Sequence, residues 1–279
     1  MKLEEFNYDL PKELIAQEPA EPRDSCRLMM VDKKTGEWEH HHFRDILNEI
    51  REGDVFVFNN TKVIPARLYG KKKDTGGKVE MLLLTPKGND TWEVLVNPGR
   101  KALPGVEIEF AENCTCKVLD KTEFGGRLVE FHYDGNFDSL LDQIGEMPTP
   151  PYIHKKLGNN DEYQTVYAKY KGSAAAPTAG LHFTPELMEE MKKKGAKLLF
   201  VTLHVGIGTF RPVSEENIED HEMHKEWYTV SEETAKEVNA ARAEGRRVIA
   251  VGTTSVRTLE SAGQSGILEI GRASCRERV

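Results

Sequence analysis

The chain has 279 residues, 38% of them hydrophobic and 30% charged, and its formal net charge at pH 7 is -8. This balance is typical of a globular protein and excludes fibrous and disordered chains. The acidic balance argues against nonspecific coating of nucleic acid, which depends on neutralising many phosphates, although it permits a local basic footprint. No unbroken apolar run approaches the roughly 20 residues that cross a bilayer, so we expect a cytoplasmic protein with no membrane association.

Cysteine and histidine patterns favour neither a disulfide framework nor a metal site. The cysteines are few and scattered: Cys26, Cys114, Cys116 and Cys275. Cys114 and Cys116 take alternating positions of a predicted strand, so their side chains share one face, which favours a structural role. The spacing of His221 and His224 is not that of the zinc-protease helix, and a surface or substrate-contacting segment is favoured there. We predict no metal.

In chain order, the first part predicts short mixed elements and then a run of strands. Residues 27–32 have strand character, residues 43–50 repeat apolar side chains at helical spacing, and residues 55–58 predict a buried strand. From about residue 63 to residue 133, short β segments alternate with turn residues. That pattern is typical of a small barrel or sandwich. A helix with one apolar face follows over residues 137–144.

Beyond residue 147, helices and strands alternate. Thr184 is a plausible N-cap for a helix, residues 197–204 predict a strand, Ser231 begins another helix, and residues 247–251 predict a buried strand. Alternation of this kind indicates an α/β sheet, and the β-only stretch is best explained as an insertion into it. We therefore predict the α/β class, with a mixed α/β core domain and an inserted small all-β barrel-like domain.

The predicted domain boundaries follow from this division. The core takes residues 1–62 and 148–263, and the barrel-like domain takes residues 63–147. Residues 264–279 end in a basic run without an apolar core pattern, so we expect a non-native tail there.

The last predicted strand runs directly into a polar helix start. Gly252, Thr253, Thr254 and Ser255 follow it, with Arg257 one turn further on. Free backbone N–H groups and hydroxyls at a helix N-terminus suit an anion such as a carboxylate or phosphate. An ordinary capped helix explains the same residues equally well.

A second loop, over residues 203–211, carries His204, Gly208, Thr209 and Arg211. Glycines let the backbone approach a ligand closely, and the strand ends of α/β sheets are where ligands bind. The competing interpretation of His204 is a satisfied interior histidine, and the two interpretations are balanced.

A third loop, over residues 174–184, combines small side chains with Gly180, His182 and Phe183. Small residues leave room for a bulky substrate, and nearby helical N–H groups disfavour the protonated form of His182, which suits a neutral general base. A plain alanine-rich connection with a structural histidine explains the pattern equally well.

Polar residues also flank the first strands. Arg23 precedes one strand, and Asn59, Asn60, Thr61 and Lys62 follow another. Asn and Asp bond their own backbone readily, so turn chemistry is the alternative to ligand binding at these positions.

Seven segments in order give these features a common context. They are YDLPKELIAQEP with PRDS (8–19 and 22–25), FNNTKVIPAR (58–67), DEYQTVY (161–167), residues 174–185, LHVGIGTFR (203–211), HEMHKE (221–226) and GTTSVRTLE (252–260). Together they resemble one family, the S-adenosylmethionine:tRNA ribosyltransferase-isomerases of queuosine biosynthesis. Family members continue for several strands and helices beyond the position of Ser261, so we expect this chain to lack a C-terminal part.

The resemblance implies a transferase with S-adenosylmethionine as co-substrate, no metal, and tRNA with a GUN anticodon as the other substrate. The family transfers and isomerises the ribosyl moiety of S-adenosylmethionine onto 7-aminomethyl-7-deazaguanine at the wobble position. The products are epoxyqueuosine, adenine and methionine. No obligate protein partner is implied, and we expect a monomer. The alternatives are a tRNA-binding module without catalysis and a phosphosugar or nucleotide enzyme that uses the same Gly252 loop.

On this basis we expect the three loops to converge on one cavity, with roles assigned as follows. The candidate bases are His182 and His204. The candidate S-adenosylmethionine-binding residues are Gly252, Thr253, Thr254, Ser255, Arg257, Gly180, Phe183, Gly208 and Thr209. The candidate tRNA- or base-binding residues are Arg23, Asn59, Asn60, Thr61, Lys62, Arg67, Tyr167 and Arg211.

Overall fold

The computed structural model describes residues 1–122, 125–206, 213, 215–221, 223 and 225–275, with side chains described up to residue 271. The strands are β1 (Arg27–Val31), β2 (Trp38–His42), β3 (Val55–Asn59), β4 (Thr61–Val63), β5 (Arg67–Lys72), β6 (Lys78–Gly88), β7 (Thr91–Asn97), β8 (Glu107–Ala111), β9 (Cys114–Lys121), β10 (Arg127–Tyr133), β11 (Gly145–Glu146), β12 (Tyr170–Ser173), β13 (Lys197–His204), β14 (Glu226–Val230), β15 (Val248–Ala250) and β16 (Gly271–Cys275). The α-helices are α1 (Phe137–Ile144), α2 (Pro185–Lys193), α3 (Glu232–Ala243) and α4 (Thr253–Ala262). Short 3-10 helices lie at Leu3–Phe6, Lys12–Leu14, Arg23–Ser25, Phe43–Glu49, Gly99–Lys101, Asn160–Tyr163, Thr178–His182 and Ile218–Asp220.

The middle of the chain closes into a six-stranded antiparallel barrel. Its strand order is β5-β6-β7-β10-β9-β8, and β8 pairs back with β5, while β11 adds to the outside of β5. Inward side chains such as Leu68, Met81 and Val94 fill the interior, and α1 packs Leu140 and Leu141 against them. Alternating polar and apolar residues thus form a sheet with one buried face, which closes on itself and leaves few free edges.

Cys114 and Cys116 are both fully buried on the inner face of β9. Burial raises the pKa of the Cys114 thiol to about 11 and raises that of Cys116 further. Both thiols therefore stay protonated at neutral pH and act as small apolar groups, in agreement with the structural role expected from their spacing.

A five-stranded sheet, in the order β15-β3-β13-β14-β16, forms the core of the second part. β3 is parallel to β13 and β15, whereas β14 runs antiparallel to β13. One face packs Val57, Val201 and Leu203 against α3 and α4, and the other packs Phe58 against α2. Because helices cover both faces of this sheet and a barrel interrupts the chain, the predicted fold class is confirmed. The domain boundaries at residues 62 and 148 remain predictions.

Side-chain caps fix the helices at the predicted positions. Thr184 Oγ1 accepts a hydrogen bond from the Leu187 N–H at 3.1 Å, and Pro185 takes the first helical position of α2. Ser231 caps α3 in the same way, accepting from the Thr234 N–H. These bonds satisfy N–H groups that have no partner within the helix. Residues 43–49, expected only to be helical, form a 3-10 helix that places Phe43 and Leu47 in the core.

The segment after residue 263 makes contacts with the core. Leu268 is buried, and its N–H and C=O both bond the side chain of Asn239, at 2.8 and 3.0 Å. β16 pairs antiparallel with β14 along its length. The segment therefore contacts the core through Leu268 and β16. Its non-native origin stays a prediction. None of the helices in the described ranges has the length and apolar composition that crossing a membrane requires.

Candidate functional site

A cavity of about 640 Å³ lies at the carboxyl ends of β13 and β15, where three segments meet. Its volume is within the roughly 300–1,000 Å³ range of small-molecule sites, and this edge of an α/β sheet is where ligands bind. The lining residues are Pro150, Pro151, Tyr152, Tyr163, Ala175, Ala176, Pro177, Thr178, Ala179, Val205, Gly252, Thr253 and Thr254. Parts of all three predicted loops therefore line one cavity.

The N-terminus of α4 is the most polar part of the cavity wall. Gly252 has a φ of +85° and provides no side-chain cap for α4. The first N–H groups of a helix have no intrahelical acceptor, and here no N-cap side chain accepts from them. Thr254 lines the cavity, whereas Ser255 is fully buried and does not, and the hydroxyls of both are without a hydrogen-bond partner among the described residues. An uncapped helix start with two unsatisfied hydroxyls is suited to an anionic or strongly polar ligand group.

The rest of the wall is lined mainly by small and aromatic residues. The alanines at positions 175, 176 and 179 keep the cavity wide, and Tyr152 and Tyr163 contribute rings. Tyr152 is about half exposed, whereas Tyr163 is buried, and burial raises the pKa of its phenol. Tyr163 therefore stays neutral and presents a ring and a hydroxyl without charge.

Arg257 lies outside this wall, in a buried ion pair with Glu226. Glu226 also accepts the Gly206 N–H at 2.9 Å. Burial raises the pKa of Glu226, and the hydrogen bond from Gly206 and the charge of Arg257 oppose that shift. The Arg257–Glu226 pair thus anchors the backbone just after β13, and the structure does not bring Arg257 to the cavity as a carboxylate anchor.

His182 ends the 3-10 helix whose first residues line the cavity, but its ring is not part of the wall. Its Nδ1 atom lies 3.0 Å from Cys26 Sγ, and its ring lies 5.1 Å from that of Phe43. Burial and then the charge of Arg23 lower the pKa of His182. The imidazole is therefore neutral at pH 7, as a general base requires.

His204 lies at the end of β13 and lines a different cavity, of about 610 Å³. Its Nδ1 atom is 2.8 Å from Thr61 Oγ1, and its ring stacks on Trp227 at a centroid distance of 4.9 Å. Gly172 leaves space for the ring, since a β-carbon there would lie 3.0 Å from Nε2. Burial lowers the pKa of His204, so this imidazole is neutral as well.

Three of the other candidates are held by core packing. Phe183 is 1% exposed and packs edge to face against Phe43 and Phe58. Gly180 lies under Tyr167, because a β-carbon at position 180 would overlap the phenol oxygen. The Tyr167 hydroxyl is buried and has no hydrogen-bond partner in the described part of the chain. None of the three lines either cavity named above.

The polar candidates of the first part mostly bond the backbone. Asn59 is fully buried and bonds both the N–H and the C=O of Leu203 at 3.0 Å. Arg23 donates to the carbonyls of Asp161 and Gln164, both at 2.6 Å. These contacts agree with the alternative that the residues stabilise turns and connections.

Asn60, Lys62 and Arg67 are placed differently from one another. Asn60 lines the His204 cavity and accepts a hydrogen bond from Thr202 Oγ1 at 2.7 Å. Lys62 is half-buried on β4, beside Lys171 in the register with β12. Arg67 forms an ion pair with Glu80 on the barrel. Gly208, Thr209, Arg211 and His224 lie outside the described residues.

Two features of the site were not anticipated from the sequence. Trp227 stacks on His204, and the strand that carries Trp227, β14, was not predicted. The signal available in the sequence was the alternation of Trp227 and Thr229 with Tyr228 and Val230, which are buried. The contact of Cys26 with His182 spans 156 residues and has no local signal.

A larger cavity, of about 740 Å³, lies on the barrel and contains Lys71, Lys72, Lys73 and Lys78. None of the residues that line it, the lysines included, belongs to the three loops, so we place the candidate site at the sheet edge. Within the described ranges, no group of three or more His, Cys, Asp or Glu residues is arranged to hold a metal ion.

The fold and this cavity define an α/β protein with an inserted barrel and a ligand site at the edge of its sheet. Residues 3–276 match the family model described as "Queuosine biosynthesis protein". The chain belongs to that family.

Two curated relatives agree with this assignment. The chain is 57% identical over 271 residues to the S-adenosylmethionine:tRNA ribosyltransferase-isomerase of Thermoanaerobacter sp., covering 96% of this chain and 80% of that protein. The protein of the same name from Natranaerobius thermophilus is 55% identical over 275 residues, or 98% of this chain and 80% of that protein. The solved structure of S-adenosylmethionine tRNA ribosyltransferase from Thermotoga maritima is 36% identical, with a TM-score of 0.46 and coverage of 99% of this chain and 78% of that one. The family expected from the motifs is confirmed, and so is the class of enzyme, a transferase.

Proposed function

We propose that the chain transfers and isomerises the ribosyl moiety of S-adenosylmethionine onto 7-aminomethyl-7-deazaguanine at the wobble position of tRNA. The products are epoxyqueuosine, adenine and methionine. The names of relatives 55–57% identical to this chain support the choice of donor and of tRNA. The observation that carries the proposal is the sheet-edge cavity, which an uncapped helix start lines together with small and aromatic residues.

The N-terminus of α4 is the proposed anchor for the methionine carboxylate of the donor. Its free N–H groups and the positive end of the helix dipole favour an anion, and the hydroxyl of Thr254, a residue of the cavity wall, has no competing partner among the described residues. Because these groups are already fixed in place, binding a carboxylate there requires little reorganisation.

Tyr152 and Tyr163 are the proposed contacts for the donor's positive sulfur. Ring faces attract cations within about 6 Å, and both rings belong to the same cavity as the α4 N-terminus. The absence of charge on Tyr163, whose pKa is raised by burial, keeps the wall apolar for the rest of the donor.

When bound, S-adenosylmethionine supplies a sulfonium that acidifies the adjacent ribose carbon, together with adenine and methionine as leaving groups. The chain must then supply a neutral base, and His182 and His204 remain the candidates because burial lowers the pKa of both. His182 shares its 3-10 helix with Thr178 and Ala179 of the cavity wall, and His204 directly precedes Val205 of the same wall.

The remaining expectations are proposals of the same kind. We propose that the enzyme acts as a monomer, in the cytoplasm because its substrate is tRNA, and on tRNA with a GUN anticodon. Gly208, Thr209 and Arg211 stay candidates from the motif resemblance alone.

The direct test is release of adenine from S-adenosylmethionine, with tRNA that carries the aminomethyl-deazaguanine as acceptor. We expect release with this tRNA and none with the same tRNA carrying unmodified guanine. A bound tRNA without adenine release would support a binding module instead. Binding of a phosphosugar with no response to S-adenosylmethionine would support an unrelated enzyme.

A further inference from the structure

A second surface adjoins the proposed donor cavity and belongs to none of the assigned contacts. It is the wall of the His204 cavity formed by Trp227 on β14, Tyr170 on β12 and Lys169 just before β12. We call these three residues the aromatic–lysine face. Trp227 is 39% exposed and Tyr170 is 49% exposed, so two large rings remain open to solvent.

The Trp227 ring of this face packs against residues that are themselves held in place. The Trp227 ring lies nearly parallel to that of His204, at 13°, and His204 is in turn held by Thr61 and by the close approach of Gly172. A ring held in this way is a flat platform, and binding a ligand to it costs little further side-chain conformational entropy. Aromatic platforms of this kind stack nucleobases, because every base has a π face.

The charges around the face select a nucleotide over a plain apolar ligand. The ammonium group of Lys169 lies 5.1 Å from the centroid of the Tyr170 ring and has no ion-pair partner in the described part of the chain. Lys171, by contrast, lies 3.7 Å from both Asp138 and Asp142, which neutralise it. The ammonium group of Lys169 is placed to bind one phosphate, and the exposed rings of Trp227 and Tyr170 are suited to stack one or two bases.

The face is next to the proposed chemistry. His204 lines the cavity of the aromatic–lysine face, and Val205, the following residue, lines the proposed donor cavity. The end of β13 therefore contributes one residue to each of the two cavities. Thr229 also lines the His204 cavity, and its buried hydroxyl has no hydrogen-bond partner among the described residues.

We propose that the aromatic–lysine face binds a single-stranded nucleotide of the tRNA substrate, with its base stacked on Trp227 and its phosphate beside Lys169. The inference rests on the proposed function, since that function makes tRNA the partner. Stacking supplies most of the affinity and a single lysine supplies the ionic part, which is consistent with a chain of net charge -8.

The test is equilibrium binding of a fluorescein-labelled, unmodified GUN anticodon stem–loop to the whole chain at several salt concentrations. We expect Trp227→Leu to weaken binding about tenfold, the loss of roughly one base stack, and Trp227→Phe to remain close to wild type. Trp38→Ala is the matched control, because Trp38 is 59% exposed on β2 and should leave affinity unchanged. Lys169→Met should reduce the slope of log K against log salt by about 0.7, whereas Trp227→Leu should leave that slope unaltered.

Thermal unfolding of each variant separates lost binding from lost folding, and Trp227→Phe provides the comparison if Trp227→Leu is destabilised. Wild-type affinity in folded Trp227→Leu, an equal loss in Trp38→Ala, or no stem–loop binding by the wild type overturns the inference. Adenine release is measured separately. If the wild type releases adenine but Trp227→Leu binds the stem–loop as tightly as the wild type does, the inference is removed and the proposed function remains. If stem–loop binding depends on Trp227 but no adenine is released, the inference about the aromatic–lysine face stands and the proposed catalytic function is lost.

Discussion

Gly252 and Ala179 approach so closely that a β-carbon at position 252 would lie 3.2 Å from the β-carbon of Ala179. This contact joins the start of α4 to the 3-10 helix that ends at His182, and it brings two of the three predicted loops together. Glycine is required at position 252 for a second reason, since its φ is +85°.

We expect Gly252→Ala to abolish binding of S-adenosylmethionine and to cost about 1–2 kcal/mol of stability from backbone strain, plus the repulsion at Ala179. Calorimetric titration and denaturant unfolding measure the two effects. Gly105→Ala is the control, because Gly105 has a φ of +88° and open space around it. Equal donor affinity in both variants would contradict the role given to the α4 N-terminus.

Thr254→Val tests the unsatisfied hydroxyl. An unpaired buried hydroxyl costs about 1–3 kcal/mol, so its removal should leave the melting temperature unchanged or raise it. Affinity for S-adenosylmethionine should fall at the same time, because the hydroxyl is a proposed ligand contact. A variant that is destabilised and binds normally would show that Thr254 Oγ1 has a structural partner instead.

The two candidate bases are separated by His182→Ala and His204→Ala. Loss of a general base lowers turnover by about 10²–10⁴-fold, and we expect this in only one of the variants. The other should mainly change KM, for tRNA in the case of His204. Adenine release under saturating donor and tRNA is the measurement, and full turnover in both variants would remove the imidazoles from the mechanism.

The same histidines make stability depend on pH. Both have a pKa below 6.5 in the folded protein because burial disfavours the charged ring. The unfolded chain therefore binds more protons below pH 6.5, and the free energy of unfolding falls as the pH is lowered through the folded pKa values. Above pH 6.5 the contribution is complete. Urea denaturation at about pH 7.5 and about pH 5.5 should show a smaller loss in His204→Gln than in the wild type, with the exposed His132→Gln as control.

Tyr167→Phe tests the tRNA-binding role expected from the motif. The Tyr167 hydroxyl is buried and unsatisfied among the described residues, so its removal should be neutral or slightly stabilising. It should also partly restore Gly180→Ala, whose methyl group would otherwise overlap that oxygen. Melting temperatures of the single and double variants measure this coupling. A large rise in the KM for tRNA in folded Tyr167→Phe would instead return the hydroxyl to the substrate site.

The sequence predicted the elements better than their contacts. The barrel strands β6–β10, the helices α2 and α3 and the strand over residues 197–204 follow from alternation and caps, which are local signals. β5, β12 and β14 were not anticipated, although β14 alternates in burial, because each pairs with a strand distant in the sequence. β12 pairs with β4 over only a few polar residues.

At the site, the segments were predictable and the directions of their side chains were not. Residues of all three loops line one cavity, yet Arg257 turns to Glu226, His182 contacts Cys26, and His204 faces the neighbouring cavity. The first two contacts join positions 31 and 156 residues apart in the chain. Spacing along the sequence contains no information about such pairs.

The arrangement of His204 and Val205 has a consequence for engineering. Because one peptide bond separates residues that belong to two different cavities, the strand end is a shared wall, and a change made from one side alters the shape of the other. Selection for a new RNA sequence at Trp227 should therefore also return variants with altered preference among analogues of the sulfonium compound.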